Sequence, residues 1–273
     1  YISVNKDEPR IQTTIAVRAG SKNDPSDNTG LAHYLEHMVF KGTSKIATTN
    51  WNEEKILLQQ ISDLYEKHKA TSDTAQKRRY YARIDSISQL AVHYAVPNEY
   101  DKMISSIGAT GTNAFTSDEK TVYINDIPSN AFEKWLFVES ERFQELTLRL
   151  FHTELEAVYE EFNRGQDNDF RKVIKTLNAE LFKKHPYGTQ ETIGLGEHLK
   201  NPSLIKIHEF FNKYYVPQMY TQEPWFDRAH NTYLDWLIAG GGLGLLSYLA
   251  IIFYLLYYTF KSSILEKGDK AII

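Results

Sequence analysis

His33 and His37 stand four residues apart, with Glu36 beside the second, and two imidazoles and a carboxylate at that spacing can build a zinc site. On a helix with 3.6 residues per turn, positions i, i+3 and i+4 are neighbours. His33, Glu36 and His37 then share one face, and the two ring nitrogens can share one cation. Catalytic zinc usually takes three protein ligands and keeps a fourth position for water. The pair therefore predicts a third ligand elsewhere in the chain and a base nearby, for which Glu36 is placed. The alternative is an ordinary helix whose partly buried face carries two histidines bonded to backbone or carboxylates.

The surrounding residues predict the helix that this geometry needs. Leu31, Leu35 and Met38 form an apolar stripe at helical spacing, Asn28 or Thr29 can cap its start, and Gly42 sits where a chain leaves a helix. Upstream, Gln12 to Arg18 reads as a strand by its β-branched content. Residues Trp51 to Tyr100 read as a charged helical hairpin, with Thr71-Ser72-Asp73 as turn and cap. Thr110 to Phe115 and Thr121 to Ile127 read as two strands around Ser117-Asp118. Helices are expected from Asn130 to Glu145, from Thr153 toward Phe182 up to the break at His185-Pro186-Tyr187-Gly188, and from Ile205 to Tyr215.

The chain holds no cysteine, so it has neither disulfides nor thiolate ligands, and histidine and carboxylates are left to hold any zinc; the candidates for the third ligand are acidic residues. The densest acidic group is Glu154, Glu156, Glu160 and Glu161, which as a plain solvated face needs no function. Glu154 and Glu161 are seven apart and project in the same direction. One could ligate while the other orients a ligand or the water.

Composition narrows the partners. The chain of 273 residues is 42% apolar and 13% aromatic, enough for a sizeable core. Its 31 basic and 35 acidic residues are mixed, so no basic stripe suits nucleic acid, and no nucleic-acid partner is expected. From Trp236 to Phe260, 25 residues carry no charged side chain, longer than the roughly 20 needed to cross a bilayer. A transmembrane helix over 236–260 is expected, with 219–235 as linker and 261–273 as a short basic tail. Lys261, Lys267 and Lys270 follow the span while only Arg228 and Lys213 precede it closely, which puts the tail in the cytoplasm and the N-terminal part outside, periplasmic or extracytoplasmic. No signal peptide is read at the start, and the natural N-terminus is left open.

Taken in order, the inverted motif His33-x-x-Glu36-His37, Phe40-Lys41-Gly42-Thr43, Asn113-Ala114-Phe115-Thr116-Ser117 and the acidic run from Glu154 to Glu161 resemble the pitrilysin or insulinase (M16) family of zinc peptidases. The resemblance covers about residues 1–218. It implies an α+β domain, an antiparallel sheet backed by helices; the helical hairpin at about 51–100 reads as an insertion that lengthens the spacing between His37 and Glu161 beyond that family's pattern. It implies His33, His37 and Glu161 as zinc ligands, Glu36 as the general base acting on a zinc-activated water, and Glu154 as the supporting carboxylate. It also implies Asn113 and Ala114 as the edge strand that holds an extended peptide or unfolded substrate by its main chain.

The chain departs from that family in carrying one domain where members have two, so a second homologous domain or subunit is an expected partner. A catalytically incomplete peptide-binding or partner subunit is the alternative reading. Ala229 to Trp236, with Gly244-Leu245-Leu246, is similar to a membrane segment of bacterial O-antigen ligases and polymerases. The two resemblances meet near Gln218 to Tyr220, where a junction of unrelated pieces is expected. A glycan-ligase fragment depending on His230 is the most remote reading.

Overall fold

The computed structural model describes residues 8–215, 246, 249–254 and 257. Described residues up to Tyr215 belong to one compact unit, and those from Leu246 onward belong to another. Among the described residues, no helix is long and apolar enough to cross a membrane. The span expected over 236–260 lies largely outside them, as do the linker, the basic tail, His230 and the expected junction.

The larger unit is a helix-rich α+β assembly built on a three-stranded antiparallel sheet in the order β1-β3-β2. Strand β1 is Arg10–Val17, β2 is Thr110–Thr116 and β3 is Thr121–Pro128. β3 pairs along its whole length with β1, from Arg10 opposite Pro128 to Val17 opposite Thr121. Being central, it buries Val122, Tyr123 and Ile127. β2 flanks β3 on the other side, with a register shift between Thr110 and Asn113. That places β2 at one edge of the sheet.

Helix α1, Leu31–Met38, carries both histidines. Its apolar stripe is the reason it folds where it does: Leu31, Leu35 and Met38 are fully buried. Each such side chain contributes roughly 1.5–3 kcal/mol. They pack in one cluster with Tyr65, Phe151, Val158, Ile207 and Phe211.

Neither expected cap holds the start of α1. Gly30 turns the chain at φ 90°, and no side chain caps from that position. Asn28 instead accepts a hydrogen bond from Lys69, and Thr29 bonds His198 and the Leu195 amide. Asp24 reaches in from the preceding turn and accepts from the amides of Gly30 (2.7 Å) and Ala32 (3.0 Å), doing the work of a cap from six residues upstream.

The helical hairpin comprises α2, Trp51–Ala70, and α3, Thr74–Val92, with Asp73 accepting from the amides of Ala75 and Gln76. Glu54, on its first turn, is buried against Arg149. The guanidinium donates to both Glu54 oxygens (2.6 and 2.8 Å) and to the carbonyls of Lys41, Thr43 and Ile46. All five guanidinium donors are thereby used, locking the segment after α1 to the hairpin and to the chain that leads into Phe151.

Between hairpin and sheet lies α4, Glu99–Ser106, and after β3 comes α5, Phe132–Arg142. The single helix expected from Thr153 toward Phe182 is two: α6, Phe151–Gln166, and α7, Asp169–Leu181. Asn168 opens the second by accepting from the Arg171 amide (3.0 Å), a local bond that competes with continuation of the first. Short helices α8, Pro186–Thr189, and α9, Gly196–Leu199, lead to α10, Leu204–Tyr214. His185 accepts from the Tyr187 amide at the start of α8.

Candidate metal centre and active site

Two helices bring the candidate ligands together. On α1, the spacing aims His33 and His37 at a common point, their ring centroids 4.8 Å apart at 75°. From α6, Glu161 Oε2 lies 3.6 Å from His33 Nε2 and 3.9 Å from His37 Nε2. One donor atom from each of the three residues falls within 4.8 Å of the others. Ligands around a tetrahedral zinc at bonds of 2.0–2.1 Å sit about 3.3 Å apart, so small inward shifts of the side chains would close the shell. The donor set of two imidazoles and one carboxylate suits that ion. Burial, and secondarily the neighbouring His37, push His33 down to about 4, so at neutral pH its ring is uncharged and can act as a ligand.

Glu154, two turns before Glu161, points at the far nitrogen of His37: its Oε2 lies 3.2 Å from Nδ1. Its other oxygen meets Lys41 Nζ at 2.5 Å. Burial works to raise this carboxyl, but the bonds from His37 and Lys41 hold it below the usual value. An ionised Glu154 keeps the proton of His37 on Nδ1 and leaves Nε2 facing His33 and Glu161.

Glu36 occupies the same face of α1, half-buried. Thr116, at the end of β2, donates to its Oε2 at 2.6 Å. Burial raises this carboxyl, opposed by the Thr116 bond and by His37. Raised in this way, the carboxylate is a stronger base toward a nearby water than a free glutamate.

These groups open onto a cleft of about 630 Å³, lined by His33, Glu36, Ala114, Thr116, Glu161 and Phe170 among others. Ala114 therefore borders the site. Asn113, exposed on the same strand, does not line it. Sequence reasoning assigned no role to Thr116, Lys41, Asp24 or Phe170. Thr116 and Ala114 share a strand face by their period of two, and Lys41 lies four residues past His37; those were the available signals.

The chain matches the profile of the family described as Insulinase (Peptidase family M16) over residues 1–85 and 89–192. The chain belongs to the insulinase family, M16. This insulinase-family chain is 24% identical over 219 residues to the peroxisomal insulin-degrading enzyme-like 1 of Arabidopsis thaliana, covering 74% of the chain and 17% of that protein. It is 20% identical to an uncharacterized zinc protease of Rickettsia felis (75% and 38% covered). It is 23% identical to the mitochondrial-processing peptidase subunit beta of Dictyostelium discoideum (73% and 32% covered). The chain thus spans well under half the length of these relatives.

Among solved structures, the fold resembles a protease from Helicobacter pylori, with TM-score 0.56, 22% identity, and 77% of this chain and 40% of that one covered. It also resembles the first half of the periplasmic protease PqqL from Escherichia coli, with TM-score 0.54, 17% identity, and 77% and 36% covered.

Proposed function

We propose that this insulinase-family domain is the zinc-binding half of a metalloendopeptidase that cuts extended peptides. The observation that carries the reading is the convergence of His33, His37 and Glu161 within 4.8 Å, with Glu36 on the same helix face and β2 beside it. His33, His37 and Glu161 would hold the ion. Zinc held there polarises a scissile carbonyl and acidifies a water. Glu36 accepts the proton of the attacking water and returns it to the departing amine, with no covalent enzyme intermediate. Thr116 fixes the carboxylate in place for both transfers, and Glu154 fixes the tautomer of His37.

An extended substrate fits the edge position of β2, where main-chain groups of an added strand can pair and the side chains matter less. Ala114 borders the cleft on that strand, and Asn113 would contribute through its backbone. The Rickettsia relative carries zinc protease in its name, which supports the choice of ion. The test is cleavage of a quenched, unstructured peptide by the purified chain: activity should vanish with a chelator and return with zinc, and activity indifferent to both would refute the reading.

A second reading is a catalytically incomplete subunit that binds peptide until a homologous half joins it, supported by the Dictyostelium relative, which is named as a peptidase subunit. Cleavage that appears only on adding a homologous chain selects this reading. We also propose that residues 236–260 anchor the protein in a membrane with the peptidase domain outside the cytoplasm. Protease protection of residues 1–220 in intact cells would contradict that orientation.

A further inference from the structure

Helix α6 has two working faces. Glu154 and Glu161 point toward the histidines, whereas Leu155, Glu156, Tyr159 and Glu160 border a different, open cleft, lined also by His68, Lys77, Tyr81, Lys200 and Asn201. Its volume of about 600 Å³ falls within the roughly 300–1,000 Å³ of ligand pockets. We propose that this second cleft binds short peptides bearing a free amine, a free carboxylate and an aromatic side chain. The metal centre's own cleft shares none of these lining residues.

The chemistry of the lining carries the assignment. Two cations, Lys77 and Lys200, face two anions, Glu156 and Glu160, yet among the described residues none of the four forms an ion pair with an opposite charge. Lys77 Nζ is instead held by Asn201 Oδ1 at 2.7 Å, and Lys200 Nζ sits 5.0 Å over the ring of Tyr159. A phosphorylated ligand would meet both glutamates, and a simple amine would meet both lysines. A zwitterion satisfies both signs at once, its carboxylate at the lysines and its ammonium at the glutamates.

The floor supplies the rest. The rings of Tyr81 and Tyr159 and the side chain of Leu155 offer an apolar bed suited to an aromatic side chain. His68 lines the same cleft, is only 8% exposed, and among the described residues its Nδ1 has no hydrogen-bond partner. Such a buried polar atom is costly to leave unmade. A small turn of the ring on ligand binding would bring this nitrogen to a ligand amide or carboxylate and complete its bonding. Burial, and then Lys77, hold the His68 ring below its usual value, so it enters as a neutral group.

Peptides of this kind are what a peptidase releases, so the cleft is a product site on the back of the helix that carries Glu161. That last clause rests on the peptidase reading; the binding itself does not. The test uses the whole chain stripped of zinc, titrated with the dipeptide leucyl-tyrosine by calorimetry and by amide shifts of labelled protein. Saturable binding with shifts in α2, α3, α6 and at Lys200 and Asn201 is expected. Acetylating the amine and amidating the carboxylate should each weaken it by about tenfold or more, as should Lys200→Glu on the protein. No saturable binding overturns the proposal, as does binding that ignores the blocked ends or shifts confined to α1 and β2. Failure of the peptidase reading would appear elsewhere, as absent cleavage, and would leave these titrations unchanged.

Discussion

Glu154 touches no substrate in the proposed mechanism, yet removing it should weaken zinc binding by a predictable amount. Its Oε2 faces His37 Nδ1 at 3.2 Å and its Oε1 faces Lys41 at 2.5 Å. In Glu154→Ala, His37 loses the partner that fixes its tautomer and ring orientation, and the Lys41 ammonium is left as an unscreened positive charge near the cation. Loss of such a supporting carboxylate typically costs about 10–100-fold in metal affinity, or about 1.4–2.8 kcal/mol. Glu154→Gln keeps an acceptor for Nδ1 but loses the charge, so it should fall between wild type and alanine. Lys41→Met should act in the opposite direction on charge grounds, partly offsetting the alanine loss in the double variant. Zinc affinity measured by competition with a chromophoric chelator gives the numbers directly. An unchanged affinity in Glu154→Ala, with unchanged thermal stability, would refute the placement of Glu154 behind His37.

Glu54→Ala leaves the Arg149 guanidinium buried without its partner and should destabilise the fold by about 3–5 kcal/mol in urea unfolding, while replacing both residues by methionine should cost clearly less. At Gly42, with φ 90°, a Cβ would meet the Ile46 carbonyl oxygen at 2.4 Å, so Gly42→Ala should cost at least about 1–3 kcal/mol in the same assay. Burial pushes Asp24 up to about 7 against the backbone amides that favour its anion. Its folded value lies above the unfolded one, so the stability it contributes is complete below about pH 4 and is lost as pH rises through 7. Wild type should therefore lose stability relative to Asp24→Asn across that window, at up to about 1.4 kcal/mol per pH unit, seen in melts from pH 4 to 8. A difference that is flat with pH would mean that Asp24 is ionised throughout.

What the sequence made legible was spacing within single helices. His33, Glu36 and His37 at i, i+3 and i+4, and Glu154 and Glu161 seven apart, lie on shared faces because helical geometry leaves them no choice. The apolar stripe of Leu31, Leu35 and Met38 was readable for the same reason. What escaped it was set by contacts distant in the chain or by backbone turns. Asp24 reaches α1 from a preceding turn because Gly30 takes a left-handed conformation, which neither Asn28 nor Thr29 signals. The bond from Thr116 to Glu36 joins residues 80 apart, and the pair of Glu54 and Arg149 joins residues 95 apart. The division of α6 from α7 turned on Asn168, whose side chain bonds the backbone locally in competition with a helix that the surrounding pattern would have carried through. The second cleft behind α6 draws on α2, α3 and the residues after α9, and no single stretch of sequence displays it.

The central claim is that Glu36 performs the proton transfers in a zinc site built from His33, His37 and Glu161. The most direct test compares wild type with Glu36→Gln for bound zinc per chain and for cleavage of the same quenched peptide under identical conditions. The account predicts about one zinc in both proteins and turnover only in wild type. Turnover that survives in Glu36→Gln at the wild-type rate, with zinc bound, would contradict it.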